Sequence, residues 1–125
     1  MRTILRGQIA KFVPSFQGQV VAGKLVLIES GNLTFTVDSG FSGGVALTPE
    51  ILESLDKKFM GDETFVLATG NVVALPTYRG QVVVHNQEVE TLFIPGNSLL
   101  GLEFLSLIGT VLSFHLKHQT VRLAK

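Results

Sequence analysis

The sequence contains no cysteine, no run of like charge and no apolar segment long enough to span a membrane. Without cysteine the chain forms neither a disulfide nor a thiolate nucleophile, which fits a reducing compartment, so we expect a cytoplasmic protein. Ten basic and ten acidic residues cancel. Nucleic acids and anionic membranes require a clustered basic surface, and we therefore expect neither as a partner.

The most apolar stretch, residues 99–114, is only sixteen residues long and contains Glu103. A membrane helix needs about twenty apolar residues, so we expect this stretch in a core. The first twelve residues, MRTILRGQIAKF, lack the features of a secretory signal. The chain has 46% hydrophobic and 16% charged residues. This composition predicts that residues 1–125 form one compact domain. We also expect the apolar excess to leave an apolar surface through which the protein self-associates.

Alternating apolar and polar residues predict a mostly β chain in which strands are joined by short turns. Pro76 is expected to interrupt the second of the predicted hairpins and to lie at an edge or overhang. The predicted strand pairs are 24–29 with 33–38 around Ser30-Gly31-Asn32, 63–68 with 71–75 around Thr69-Gly70, and 80–85 with 88–94 around Asn86-Gln87; two final strands, 110–116 and 120–125, flank 117–119.

Two short helices are predicted among these strands, one within residues 46–55 and one within residues 98–109. Thr48 is a suitable N-cap for the first helix, Pro49 suits its first position, and Gly109 is expected to close the second. The fold class is therefore all-β with two short helices, and the strand spacing favours a barrel or a sandwich.

The segment TFTVDSGFSGG, residues 34–44, is a strand that runs into Asp-Ser-Gly and further glycines. Alternation places Asp38 on the side of the strand away from Phe35 and Val37, which face the core. On its own, Asp-Ser-Gly is typical of an ordinary surface turn, because aspartate caps nearby N–H groups.

A second motif, Leu99-Leu100-Gly101, follows about sixty residues later and precedes a predicted helix. The two motifs together resemble the retropepsin-like aspartic proteases, which pair a strand ending in Asp-Thr/Ser-Gly with a later apolar-apolar-Gly strand and a helix. The small prokaryotic members of this family often carry Phe and a further Gly after the tripeptide. Phe41 and Gly43 of this chain resemble that pattern. The resemblance covers roughly residues 15–125 and includes Asn97, Leu105, Ile108-Gly109, Leu112 and Phe114.

The resemblance implies a two-fold homodimer of closed β-barrels in which each subunit contributes one catalytic Asp38. Two such carboxylates share a proton, activate a water and hydrolyse a peptide bond without metal or cofactor. Gly40 would donate its N–H near the carboxylate, and Ser39 would bond across the axis. Leu99, Leu100 and Gly101 would brace the active-site loop from beneath.

The resemblance also implies that residues 63–75, here called the flap hairpin, close over an extended peptide or protein substrate. Substrate pockets would be largely apolar and lined by Phe41, Val72 and Leu75. Ser39 replaces the commoner threonine, and the flap tip has one glycine rather than several. The residues expected at the flap or substrate are Phe41, Ala68, Thr69, Gly70, Asn71 and Val72.

Two other functions remain open at this point. A retropepsin-like dimer could bind extended peptides or act as an assembly module without cleaving, and a β-barrel binding module could carry Asp38 in a chance turn. A metal site is not expected, because zinc needs three or four converging ligands and the chain offers only His85, His115 and His118 beside its scattered acids. Whether residues 1–14 join a sheet of the dimer or hang free is also open.

Overall fold

The structure, a computed structural model, describes residues 1–41 and 43–125; Ser42, in the glycine-rich segment, lies outside the described residues. Within this part of the chain the prediction of a mostly β protein with two short helices is confirmed. The strands are β1 (Thr3–Ala10), β2 (Val13–Val21), β3 (Lys24–Leu27), β4 (Leu33–Val37), β5 (Val45–Leu47), β6 (Lys58–Val66), β7 (Val72–Val84), β8 (Gln87–Pro95), β9 (Leu99–Leu100), β10 (Val111–His115) and β11 (Thr120–Ala124), and the helices are α1 (Pro49–Ser54) and α2 (Leu102–Ile108).

The described strands form one sheet whose order is β10-β11-β1-β2-β3-β7-β8-β5-β9-β4. Two pairings lie off this path: β6 pairs with β7, and β2 pairs with β4 as well as with β3. The N-terminal residues belong to this sheet, because β1 pairs antiparallel with both β11 and β2 of its own chain. The predicted neighbours β10 and β11 pair directly.

The prediction that residues 24–29 and 33–38 form a hairpin is wrong. Both strands pair antiparallel with β2, β3 through its second half and β4 through its first half, so β3 and β4 run in the same direction and are not the two arms of a hairpin. Gly18 of β2 lies opposite both Leu27 and Leu33. Turn residues permit a chain reversal but do not require one, and here β2 supplies a longer partner than either strand offers the other.

Strand β7 replaces two predicted strands, 71–75 and 80–85, with one of 13 residues. Pro76 therefore does not interrupt the flap hairpin; it lies opposite Asp62 of β6. On its other side β7 pairs with β8 only from Tyr78 onwards, so Pro76 lies where the strand overhangs. A proline is tolerated there because no third strand needs its missing N–H.

The β7–β8 hairpin is one residue out of its predicted position. Val84 pairs with Gln87, which leaves a two-residue turn of His85 and Asn86 rather than Asn86 and Gln87. Both turn residues have positive φ, 53° and 65°, as a hairpin turn that follows the twist of its strands requires.

Both helices lie within their predicted segments, and α1 begins at Pro49 after the N-cap Thr48, as predicted. Residues 45–47 form β5 before α1, and Leu99–Leu100 form β9 before α2. Thr48 is the N-cap of α1 but makes no side-chain cap bond. Gly109 follows α2 in extended backbone and donates its N–H to the Leu105 carbonyl.

The core lies between the sheet faces and the two helices, and its largest fully buried side chains are phenylalanines. Each such side chain stabilises the fold by roughly 1.5–3 kcal/mol relative to an exposed one. Because Phe35 of β4 and Phe104 of α2 are among them, the core anchors the elements on either side of the two sequence motifs. The four residues are Phe16, Phe35, Phe93 and Phe104.

The turn of the β7–β8 hairpin gives a test of this register. Replacing His85 by Asn and Asn86 by Gly should raise the free energy of unfolding by about 1 kcal/mol, because a histidine in the left-handed region is strained by about that amount. Urea unfolding measures the change. The control is Asn32→Gly, since Asn32 is exposed and is not among the described residues with positive φ. This substitution should not raise the free energy of unfolding. An equal rise in the control and in the double substitution would contradict a turn at His85 and Asn86.

Candidate functional site

The first sequence motif lies in the loop between β4 and β5, here called the Asp38 loop (residues 38–44, described except for Ser42). The second motif, β9, is inserted between these two strands. It pairs parallel with β4 and antiparallel with β5. Strands adjacent in the sequence are thus separated in the sheet by a strand from residues 99–100, and the Asp38 loop passes around its end.

Three backbone hydrogen bonds tie the Asp38 loop to the second motif. The Asp38 N–H donates to the Leu100 carbonyl at 3.1 Å, and the Gly101 N–H donates to the Gly44 carbonyl at 2.8 Å. The Leu102 N–H donates to the Phe41 carbonyl at 3.1 Å. The loop is therefore bonded at its beginning, middle and end, although a two-residue strand alone has little stability.

Asp38 itself is half-buried and follows the buried Val37 at the end of β4. Its Oδ1 accepts a hydrogen bond from the Gly40 N–H at 2.9 Å, and the Phe41 N–H donates to its backbone carbonyl at 3.1 Å. Ser39 and Gly40 are exposed. The carboxylate is thus held by its own loop at one oxygen and lies next to two small exposed residues.

The second motif is buried where it meets the loop. Leu100 is fully buried, Leu99 is half-buried, and Gly101 is buried. A Cβ atom at Gly101 would lie 2.1 Å from the Gly43 carbonyl oxygen, a distance that backbone atoms cannot accommodate. Only glycine therefore allows the second motif to approach the loop this closely.

The flap hairpin lies at the adjoining ends of β6 and β7, whose paired residues run regularly from Gly61 opposite Thr77 to Val66 opposite Val72. The tip is closed by hydrogen bonds from the Leu67 N–H to the Asn71 carbonyl, 2.8 Å, and from the Gly70 N–H to the Leu67 carbonyl, 2.9 Å. Gly70 has φ of +86°, which favours glycine. Every predicted tip residue is exposed: Ala68, Thr69, Gly70 and Asn71.

A cavity of about 70 Å³ joins the Asp38 loop to the flap hairpin, and we call it the flap-side cavity. Phe41 lies on its loop side and Phe65 on its flap side. Val72, by contrast, pairs with Val66 and is 63% exposed, outside the described lining. Leu75 is half-buried and also lies outside that lining. The residues of the described lining are Phe41, Gly43, Gly44, Glu63, Phe65, Thr77, Leu92, Ile94 and Glu103.

A larger cavity, of about 490 Å³, lies between β1, β3 and the His85-Asn86 turn, and no described residue of the Asp38 loop lines it. We therefore place the candidate site at the Asp38 loop, and not at the cavity with the larger volume. Among the described residues no three His, Asp or Glu side chains group as metal ligands, and no helix is long and apolar enough to cross a membrane.

Two residues of the lining, Glu63 and Glu103, are exposed acids, a residue type whose usual position is the solvated surface. The structure places both in the wall of the flap-side cavity. Strand alternation could have found Glu63, because it shares a face with Phe65, two residues further along β6. No comparable pattern marks Glu103, which follows the second motif at the start of α2.

Comparison with known proteins gives no match of the chain to any protein-family model, curated protein or solved structure.

The close approach at Gly101 predicts a large local effect of a single methyl group. Gly101→Ala should lower the free energy of unfolding by about 1–3 kcal/mol, the usual effect of overpacking, and should speed amide exchange at Asp38, Gly101 and Leu102. Urea unfolding and hydrogen exchange measure these changes. Gly96→Ala is the matched control, because its Cβ would meet only the Ala46 Cβ at 3.3 Å. Equal effects of the two substitutions would contradict the role assigned to Gly101.

Proposed function

We propose that this protein is a homodimeric aspartic endopeptidase of the retropepsin-like type, with Asp38 of each subunit at a two-fold axis. The observation that carries the proposal is the insertion of β9 between β4 and β5, which holds the Asp38 loop by three backbone hydrogen bonds. An ordinary surface turn needs no such support from a strand about sixty residues away.

The strand pairings support the finer fold that this proposal requires. The path from β2 through β3, β7, β8, β5, β9 and β4 leads back to β2, because β2 pairs with β4 as well as with β3. Such a cycle of pairings is what a closed barrel needs. The exposed flap tip and the half-buried carboxylate then belong to one half of an active site.

A single carboxylate cannot perform the two tasks of the reaction at once, so the proposal requires a second copy of the chain. In a two-fold dimer the same surface of both subunits meets at the axis. Ser39 and Gly40 are exposed beside the carboxylate, and they would face their counterparts in the partner. The Ser39 hydroxyl would then bond to the partner's loop and hold the two acids in place.

The reaction divides its proton transfers between the two Asp38 carboxyl groups, which share one proton. The ionised group removes a proton from a water, and the water oxygen attacks the peptide carbonyl carbon. The protonated group donates to the carbonyl oxygen. When the tetrahedral intermediate collapses, the C–N bond breaks and a proton passes to the leaving nitrogen. The flap hairpin would cover the peptide and exclude water.

The proposal predicts how activity responds to mixed subunits. Wild type and Asp38→Asn are refolded together in equal amounts. The rate of cleavage of an unstructured protein should then be about one quarter of the rate of wild type alone at the same total protein concentration, because only dimers with two intact acids are active. Refolding with Asp62→Asn, an exposed acid of β6, should leave full activity. Activity of about one half would mean independent sites, and peptide binding without turnover by wild type would favour the non-cleaving module.

The flap tip gives a second prediction. Gly70→Val should lower kcat/KM about fivefold, since a side chain at positive φ strains the turn by about 1 kcal/mol, while sedimentation of the dimer stays the same. Ala74→Val is the control, because Ala74 is exposed and lies in the same hairpin opposite Thr64. If Gly70→Val cleaves as fast as this control, the tip does not act as a lid.

A further inference from the structure

The inner face of the flap hairpin carries one residue that does not fit its neighbours. Alternate residues of β6 and β7 share this face, and Phe65, Leu75 and Thr77 on it are half-buried or buried. Glu63 lies on the same face, directly opposite Leu75. It remains exposed and lines the flap-side cavity together with Phe65 and Thr77.

A second glutamate lines this cavity from the other side. Glu103 is in the first turn of α2, two residues after Gly101 and close to the Asp38 loop. Phe41, Leu92 and Ile94 add apolar side chains to the lining. The cavity thus has hydrophobic sides and two carboxylates, each presented by a different element of the fold.

Neither glutamate has a cationic partner within the described part of the chain. The ion pairs there are Lys24–Glu88 and Arg79–Glu90. The described lining of the cavity contains no lysine, arginine or histidine. Two acids that share a cavity repel each other, so a cation bound between them would be stabilised by both.

The size and the walls of the cavity restrict the kind of cation. Its volume of about 70 Å³ is several times the roughly 10–15 Å³ that one water needs, which suits the end of one side chain. Lysine and arginine place an apolar stem against hydrophobic surface and keep the charged group at a polar edge. Calcium and magnesium prefer six or more oxygen ligands, zinc needs three or four ligands, and two glutamates supply too few for any of them.

We propose that the flap-side cavity is a specificity pocket for a lysine or arginine of the substrate, with Glu63 and Glu103 as the selecting residues. The inference rests on the proposed peptidase function, because the cavity lies between the Asp38 loop and the flap hairpin. A peptide bound as an extended strand projects alternate side chains to one side. A residue near the scissile bond therefore reaches the cavity while the bond lies at Asp38.

The test uses sets of fluorogenic peptides. Within a set the peptides differ only at one position, which carries lysine, norleucine or glutamate. Each position around the scissile bond is varied in a set of its own. Norleucine keeps the apolar stem and lacks the charge. At one position wild type should cleave the lysine peptide with a kcat/KM about tenfold higher than the norleucine peptide. Glu63→Gln and Glu103→Gln should each reduce this ratio, and the double substitution should bring it to about one.

Charge reversal and a distant acid provide the controls. Glu103→Lys should favour the glutamate peptide over the lysine peptide, a change that a purely structural role would not produce. Glu53→Gln, at an exposed position of α1, should leave the lysine preference as in wild type. Circular dichroism checks that each variant is folded.

The same peptides separate a failure of the pocket from a failure of the peptidase. Cleavage with no lysine preference at any position would overturn the pocket and leave the proposed function in place. Binding measured with Asp38→Asn gives the second readout. A lysine preference in binding, with no cleavage by wild type, would support the pocket and contradict the peptidase; no lysine preference in binding or in cleavage would overturn the pocket.

Discussion

The position of Asp38 depends on the insertion of β9 between β4 and β5. The carboxylate follows β4 directly, and the loop behind it is bonded to Leu100, Gly101 and Leu102 as well as within itself. Gly101 makes this approach possible, since a Cβ atom there would collide with the backbone at Gly43. Below these bonds Leu100 and Phe104 are fully buried, so the loop is supported by the core through the second motif.

The flap hairpin is anchored to the same core at one end and free at the other. Within β7, Val82 and Val84 are buried in the sheet, whereas Val72 at the far end is 63% exposed. One continuous strand thus connects a rigid base to an exposed tip. Segments with few buried contacts open at low free energy, which suits a lid whose base stays fixed beside the Asp38 loop. The flap-side cavity lies between this base and the tip, where Glu63, Phe65 and Thr77 line it.

Local features of the sequence predicted much of the fold. The β6–β7 and β7–β8 hairpins have short turns between alternating strands, and the structure has both, the second shifted by one residue. The predicted hairpin of 24–38 is absent, because β3 and β4 each pair with β2, and the residues of one turn do not determine which nearby strand becomes the partner. The start of α1 at Pro49 was predicted correctly, because its N-cap and its proline are local signals. The pairing of Asp38 with Leu99-Leu100-Gly101 was predicted only through a family resemblance, and the structure brings these segments together.

Glu63 and Glu103 were missed as cavity-lining residues, because a charged residue has the same appearance in sequence whether it lines a cavity or only faces solvent.

The central claim is that the Asp38 loops of two subunits face each other. Because the chain contains no cysteine, one introduced at Ser39 would be unique, and two of them can form a disulfide only when their Cα atoms come within about 7 Å. The most direct measurement is therefore oxidation of Ser39→Cys, with Ser30→Cys, exposed before the other end of β4, as the control. We expect Ser39→Cys to be converted into a covalent dimer and Ser30→Cys to remain monomeric on a denaturing gel. Equal and low cross-linking of both variants would contradict the claim.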